Sequence, residues 1–367
     1  MNHLWLFYPE NDIALAHGTA NFSPPQMATN LRRSAEILPL WMAGNDDKVL
    51  CHGINKNWLD NICMSYNITA DVWNHTDYNL LPTPWGWSAA SRAIFIHEGF
   101  KESTLPDMAT IEQYRNLSHR RTAAIVTNEV SKLLDFTIYP PAIEVADTDT
   151  LSRIINDKKS AVLKSPWSSS GRGVRFVDHN HLQQALSAAA GTIRKQKSIM
   201  VEDYVNPHFD FALLFECKDS VCDFVGYSLF RADPSSGQYT GNIVADQQEL
   251  RTRIASKSDS GQLSQMITAL QSVISAIIAP AYSGPVGVDM LADINGKMHI
   301  VELNLRYTMG FMALGLERFV GREAIFYMQK GDGSSQNCPV IEQSRLYDGI
   351  QMLTPPGGDF SFMLKIV

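Results

Sequence analysis

Residues 284–306 read GPVGVDMLADINGKMHIVELNLR, and this stretch decides the fold. Two apolar runs, GPVGVDML and MHIVELNL, flank the dipeptide Asn295-Gly296. That dipeptide marks a β-hairpin, because tight hairpin turns need residues that tolerate positive φ. Asp289 lies in the first run, Glu302 and Asn304 in the second, and Arg306 two positions further on. Side chains two apart on a strand share a face, so Glu302, Asn304 and Arg306 line one side. Counting across the turn sets Asp289 opposite the neighbourhood of Glu302. Two carboxylates and an amide oxygen therefore converge on one patch of otherwise apolar strands. Charges that close repel in a partly buried site unless a cation lies between them. An all-oxygen set suits Mg²⁺, which takes few protein groups and shares its other positions with phosphates. A strand face open to water would carry the same residues with no metal, so the surroundings have to be weighed.

Upstream lies KSPWSSSGRGV, residues 164–174. Lys164 ends an apolar strand; Ser168, Ser169, Ser170, Gly171, Arg172 and Gly173 form a loop; Val174 resumes a strand. Small residues let backbone N–H groups crowd around phosphate oxygens, and glycine supplies the positive φ that such a concave nest needs. It is not a P-loop, since no GK[ST] follows and a strand comes next rather than a helix. Between the two constellations, SIMVEDYV (198–205) is an apolar strand ending in Glu202 and Asp203. Singly, a plain hairpin loop and a surface strand end would explain these two segments.

In order, the lysine before a glycine-rich loop, the strand ending VEDYV and the GVD…VELNLR hairpin resemble the ATP-grasp superfamily. The resemblance covers about residues 116–320, and the most specific part is an acid followed thirteen positions later by acid-x-Asn-x-Arg. It implies an α/β chain in which a small parallel α/β domain (1–112) precedes two α+β subdomains, 113–205 and 206–367, that clasp ATP. Lys164 would then contact the α- and β-phosphates, while the loop with Ser169, Ser170, Gly171 and Gly173 closes over the β/γ end. Glu202, Asp203 and Val205 would read adenine, Asp210 the ribose hydroxyls, and Asp289, Glu302 and Asn304 would hold Mg²⁺, with Mn²⁺ as a substitute. Arg306 would neutralise charge on the transferred phosphoryl group. The family also has an early phosphate-facing lysine, within a segment resembling LSHRRTA. Here the basic candidates are Arg120 and Arg121, which keep the charge but change its shape.

The implied reaction is ATP-dependent ligation. A carboxylate is activated as an acyl-phosphate, and an amine or another nucleophile displaces phosphate. Positioning and charge neutralisation carry most of such chemistry, which agrees with a chain showing no Ser-His-Asp arrangement. A kinase on the same fold, or a non-catalytic nucleotide-binding protein, are the competing readings. The acceptor pair would sit between the N-terminal domain and the antiparallel unit, where Arg231, residues 239–242 with Asn242, and residues 10–12 are candidate contacts. A solvated strand end for Arg231 and a simple turn at Asn11-Asp12 are the plainer alternatives.

The rest of the chain fits this frame. Short apolar runs at 4–8, 48–52 and 93–97 read as strands alternating with helices at 26–43 and 57–65, the pattern of a parallel α/β unit. Ser118 reads as the cap of a helix running to about residue 134. Strands at 211–217, 222–232 and 239–244 and a helix at 261–279 then lead into the hairpin.

With 367 residues the chain is long enough for two or three domains, and 45% apolar against 19% charged residues is ordinary for a globular protein. A formal net charge of −7 argues against nucleic acid as a partner. No run reaches the roughly 18 uncharged apolar residues that span a bilayer, and the N-terminus lacks the basic start of a signal peptide. Five cysteines without a CxxC spacing suit a reducing cytoplasm and no zinc site. The expected partners are ATP, a small carboxylate and a nucleophile; a homodimer is the default arrangement for a soluble enzyme.

Overall fold

The computed structural model describes residues 1–158, 160–168, 173–178, 181–232, 239–331, 333 and 338–367. Its first sheet holds β1 (His3–Leu6), β2 (Lys48–Val49), β3 (Asp71–Val72) and β4 (Leu81–Pro84) in the order β3-β2-β1-β4, all parallel. The second is antiparallel and holds β5 (Ile143–Val145), β6 (Ser160–Lys164), β7 (Val174–Asp178) and β8 (Ile199–Asp203) in the order β5-β8-β6-β7. Helices Thr148–Asp157 and Leu182–Gln196 share its core through Leu151, Ile155, Ala185 and Ala189.

The third sheet begins with β9 (Phe209–Lys218), β10 (Val221–Ala232), β11 (Tyr239–Val244), β12 (Gly284–Ala292), β13 (Met298–Asn304) and β14 (Ala324–Lys330). A small hairpin of β15 (Val340–Glu342) and β16 (Arg345–Asp348) stands apart, and β17 (Ile350–Met352) and β18 (Phe360–Ile366) complete the sheet. Its order is β13-β12-β9-β10-β11-β14-β18-β17, antiparallel throughout. The central β9 is apolar on both faces for a reason. Phe211, Leu213 and Phe215 pack beneath helices Arg121–Ser131 and Ser260–Ile277. Ala212 and Leu214 point the other way, against Phe311 of helix Met309–Leu316.

The far half of this sheet shares a core with the first hundred residues. Leu4, Phe7, Trp41 and Trp85 pack with Phe326, Phe362 and Leu364. Phe7 meets Phe362 edge-on at 6.3 Å, and the Trp41 indole donates to the Leu353 carbonyl at 2.9 Å. Among the described residues no helix is long and apolar enough to cross a membrane.

Three local expectations are corrected. Residues 93–97 are not a strand but the end of helix Ala89–His97. A reciprocal cap starts this helix: the Ser88 hydroxyl accepts from the Ser91 N–H at 3.2 Å, and the Ser91 hydroxyl accepts from the Ser88 N–H at 2.8 Å. The fourth parallel strand is the proline-bearing LPTP instead. Prolines are tolerated there because β4 lies at the sheet edge, where the missing N–H leaves no ladder bond unmade. Ser118 does not cap the following helix; it ends helix Met108–Leu117, its hydroxyl donating to the Tyr114 carbonyl at 2.8 Å, and Arg120 stands at the next N-cap.

Both members of the Ser88 cap are buried. Ser88→Ala therefore leaves an orphan N–H in the interior, and urea unfolding should show a loss of about 1–2 kcal/mol. No change in the midpoint would mean that the helix starts without the cap.

Candidate active site

The hairpin of β12 and β13 sets Asp289 directly opposite Glu302 and Gly287 opposite Asn304. The next pair is Met290 with Ile300, so Val301 is the extra residue of a β-bulge. The bulge turns the Val301 carbonyl out of the ladder, where it accepts from the Lys164 ammonium at 3.2 Å. The closing turn is pinned by Asp293, whose carboxylate accepts from the N–H groups of Asn295 at 2.8 Å and Lys297 at 3.0 Å. Gly296 supplies the positive φ there, +79°.

Burial, together with the charge of Glu302, pushes the Asp289 carboxyl up to about 7. Asn304 donates its amide to Asp289 at 3.0 Å, and its oxygen accepts from Arg306 Nη2 at 2.8 Å. Arg306 in turn grips Asp12, in the first turn of helix Asn11–His17, with Nε 3.0 Å from each carboxylate oxygen and Nη2 2.7 Å from one of them. The hairpin is thus tied to the loop that leaves β1. The same junction carries a bond from the Tyr307 N–H to the Trp85 carbonyl at 2.7 Å. Gly86 permits it, since a Cβ there would lie 2.5 Å from the Asn11 amide and 2.8 Å from Arg306 Cβ.

The other cations are also paired. Arg120 reaches Glu302 Oε1 at 2.7 Å and the Ser168 hydroxyl at 2.6 Å, while its backbone N–H donates to the Pro166 carbonyl at 3.1 Å. Lys164 contacts Glu202, its neighbour on β8. Burial works to raise the Glu202 carboxyl, but His299 and Lys164 beside it hold it below its ordinary value. Arg121 points elsewhere: half-exposed, it donates to Glu144 at 3.0 Å and lies 3.0 Å from His119 Nε2. Of the two arginines left open by the sequence, the structure brings Arg120 to the carboxylates.

The glycine-rich loop is closed at its base. The Ser165 N–H donates to the Gly173 carbonyl at 2.9 Å. Gly173 has φ +81°, and a Cβ would lie 2.7 Å from the Ser165 hydroxyl, so only glycine fits. Trp167 anchors the near side: its indole donates to the Arg115 carbonyl at 3.0 Å, and the Arg115 guanidinium lies 4.3 Å from its ring. Ser169, Ser170 and Gly171 lie outside the described residues.

No family model matches the chain, and no curated protein matches it by sequence. Solved structures do match in shape. Biotin carboxylase from Campylobacter jejuni, in a complex with β,γ-ATP, aligns over 100% of this chain and 87% of its own, with a TM-score of 0.55 at 13% identity. N5-carboxyaminoimidazole ribonucleotide synthetase from Thermus thermophilus aligns over 99% and 93%, with 0.51 at 12% identity. N5-carboxyaminoimidazole synthetase from Staphylococcus aureus, complexed with ADP, aligns over 100% and 94%, with 0.50 at 11% identity. The fold is the ATP-grasp fold.

Within the ATP-grasp fold, the remaining residues singled out in the sequence fall into two groups. Glu202, Asp203 and Val205 stand at the end of β8, with Val205 buried and Asp203 paired with Lys158. Asp210 lies on β9 opposite Leu291, on the sheet face that carries Asp289, and burial raises its carboxyl. Arg231 and Asn242 are not drawn into this cluster. Arg231 is exposed near the end of β10. Asn242 is buried, its amide donating to the Ser228 hydroxyl at 2.8 Å and its oxygen accepting from Tyr239. Helix Met309–Leu316 covers that spot, with Gly310 set against Ser228. His299 was not singled out in the sequence. It is buried, stands 3.6 Å from Glu202, and its one sequence signal is a polar residue within an apolar strand.

Next to Asp12, Glu10 is buried, and burial pushes its carboxyl up to about 7 although Arg32 at 2.9 Å pulls the other way. Tyr8 is the other titratable group beside it. The folded value lies above the ordinary 4.5, so stability from this group is fully present below about pH 4.5 and is lost as pH rises through about 7. Glu10→Gln should therefore be more stable than the parent above pH 7, by on the order of 3 kcal/mol at most, with no gain below pH 4.5. Urea midpoints at pH 4, 6 and 8 measure this; a difference that does not vary with pH would show that folding leaves the Glu10 carboxyl at its ordinary value.

Proposed function

We propose that the protein uses ATP and Mg²⁺ to activate a small carboxylate as an acyl-phosphate for attack by an amine or another nucleophile. The observation that carries this reading is the carboxylate pair Asp289–Glu302 beside three cations, Lys164, Arg120 and Arg306, each of which has its own carboxylate partner. A site so balanced gains from a ligand that brings anionic phosphates and a divalent cation together. The residues fit Mg²⁺ in a limited way. Among the described residues no group of three or more His, Cys, Asp or Glu side chains is placed to hold a metal. Asp289 and Glu302 are two oxygen donors, and the Asn304 oxygen, which has a second lone pair beside the one that accepts from Arg306, is a third. That number suits an ion that keeps waters and shares phosphate oxygens. Bound there, the ion would supply charge neutralisation between phosphates and acids.

The chain's own residues then have separable tasks. Arg120, freed from Glu302, and Lys164, freed from Glu202, turn to the phosphates. A glycine-rich loop that covered them would exclude water and protect an acyl-phosphate from hydrolysis. Glu202, Asp203 and Val205 meet the base and Asp210 the ribose. Transfer forms a bond between a carboxylate oxygen and the γ-phosphorus and breaks the bond to ADP. The nucleophile then attacks the acyl carbon and phosphate leaves.

The first sheet supports a place for the acceptors. The chain goes from β1 to β2 and β3 on one side and returns to β4 on the other, so the switch point lies between β1 and β4. In open parallel sheets, ligands bind beyond the strand C-termini at that point. The loops there are residues 7–12 and 85–88, the same loops that meet Arg306 and Tyr307. Neither Arg231 nor Asn242 is needed.

Incubation with ATP, Mg²⁺ and a panel of carboxylates and amines should release ADP and free phosphate with one acceptor pair. Glu302→Ala should lower that turnover by about 100-fold or more. ADP with a stable phosphorylated product and no free phosphate would make the protein a kinase. Full turnover in the variant would remove Glu302 from the metal site.

A further inference from the structure

The junction between the first sheet and the β12–β13 hairpin carries an ion pair across 294 positions of sequence, Asp12 with Arg306. A guanidinium has five N–H donors in a planar fork. Here Nε spends its single hydrogen on Asp12, and Nη2 spends both, on Asp12 and on the Asn304 oxygen. Nη1 gives one to the Tyr307 carbonyl at 3.1 Å. One Nη1 hydrogen is left without a partner among the described residues. A fork held at four of its five hydrogens cannot swing, so the direction of the remaining N–H is set in advance. The two side chains are each 14% exposed, so the pair is partly desolvated. Pairs of that kind give little net stability, because desolvation offsets the attraction; what they fix is geometry.

Asn304 inherits its orientation from this contact. With its oxygen accepting from Arg306, its amide is obliged to donate to Asp289. An unbroken path of charge-assisted hydrogen bonds thus runs from the loop after β1 to a candidate metal ligand.

We propose that Asp12 is the positioning residue of the site: it clamps Arg306 so that a single Nη1 hydrogen meets the transferred phosphoryl group, and through Arg306 it sets the direction of Asn304. This rests on the ATP-dependent reading of the same site. It also makes the acceptor loop and the metal hairpin one unit, since Asp12 belongs to the first and Asn304 to the second. A residue that only helped the protein fold would affect nucleotide binding and turnover together. A positioning residue affects turnover alone, because misaiming a catalytic group costs about 100-fold while the remaining phosphate contacts stay intact.

The test compares the full-length protein with Asp12→Asn and Asp12→Glu. Binding of a non-hydrolysable ATP analogue with Mg²⁺ is measured by calorimetry, and carboxylate-dependent ADP release gives kcat. Arginine side-chain NMR, with the Arg306 signal assigned by its loss in Arg306→Lys, reads the clamp directly. Asp12→Asn should keep the analogue's Kd within about threefold, lower kcat about 100-fold, and abolish the slow exchange of the Arg306 Nε–H. Asp12→Glu keeps the charge but displaces it by one methylene, and should fall at least about tenfold in kcat with the same Kd; it stands in if the Asn variant does not fold. Turnover retained in both variants, Kd and kcat lost in proportion, or an Arg306 Nε–H still protected in Asp12→Asn would each overturn the proposal. A parent protein that does not bind the analogue with Mg²⁺ would instead defeat the ATP-dependent reading, and the NMR comparison would still decide the clamp.

Discussion

Asp289 and Glu302 stand opposite one another on neighbouring strands, where burial and mutual repulsion have already pushed Asp289 up to about 7. The surrounding structure is arranged around that charge. Arg120 comes to Glu302 from the start of helix Arg121–Ser131, Asn304 donates to Asp289, and Arg306 stands behind Asn304 with Asp12 as its counter-ion. Lys164 and Glu202 form the same kind of pair one sheet away. The cations and acids satisfy one another. On the reading proposed above, the phosphates would draw Arg120 and Lys164 away from Glu302 and Glu202, Glu302 would turn to the metal, and Asp12 would keep Arg306. Partner exchange of this sort demands little movement, because each group already faces the right neighbourhood.

The geometry holds because two bodies of structure are locked at that spot. The antiparallel sheet with both faces covered gives β9 and β12 no freedom to slide: shifting register by one residue would turn Asp289 into the helix layer and a core residue into the cleft. The shared core of Phe7, Trp41, Phe326 and Phe362 fixes the parallel sheet against the far half of the large one. That in turn sets the loop after β1 beside Arg306. Gly86 is the point of closest approach, where even a methyl group would collide with Asn11 and Arg306.

The likeness to biotin carboxylase and N5-carboxyaminoimidazole ribonucleotide synthetase spans nearly the whole of each chain at 12–13% identity. What is kept at that distance is the fold. On the reading proposed above, Arg120, paired with Glu302, would take the place the resemblance gives to lysine. A planar fork reaches Glu302 and Ser168 together, whereas an ammonium would act as a point charge.

The sequence by itself determined the local and periodic features. The hairpin was legible from its Asn-Gly dipeptide between apolar runs, but the register at the turn, Ala292 with Met298, would set Asp289 against Val301, and the bulge at Val301 brings Glu302 opposite it. The strands around the glycine-rich loop and the helix at Ser260–Ile277 were legible from their apolar periods. Local pattern misled where the decisive partner was distant or the cue ambiguous: residues 93–97 have strand-like composition but follow a buried serine cap, and LPTP becomes a strand only because an edge position excuses its prolines. That Arg120 rather than Arg121 reaches the carboxylates, that Asp12 holds Arg306 and that His299 stands by Glu202 was decided only by the tertiary structure. Each depends on a partner 97 to 294 positions away, as with His299 and Glu202 or Arg306 and Asp12. No short-range pattern encodes such a pairing, since it arises from how sheets stack rather than from how a segment coils.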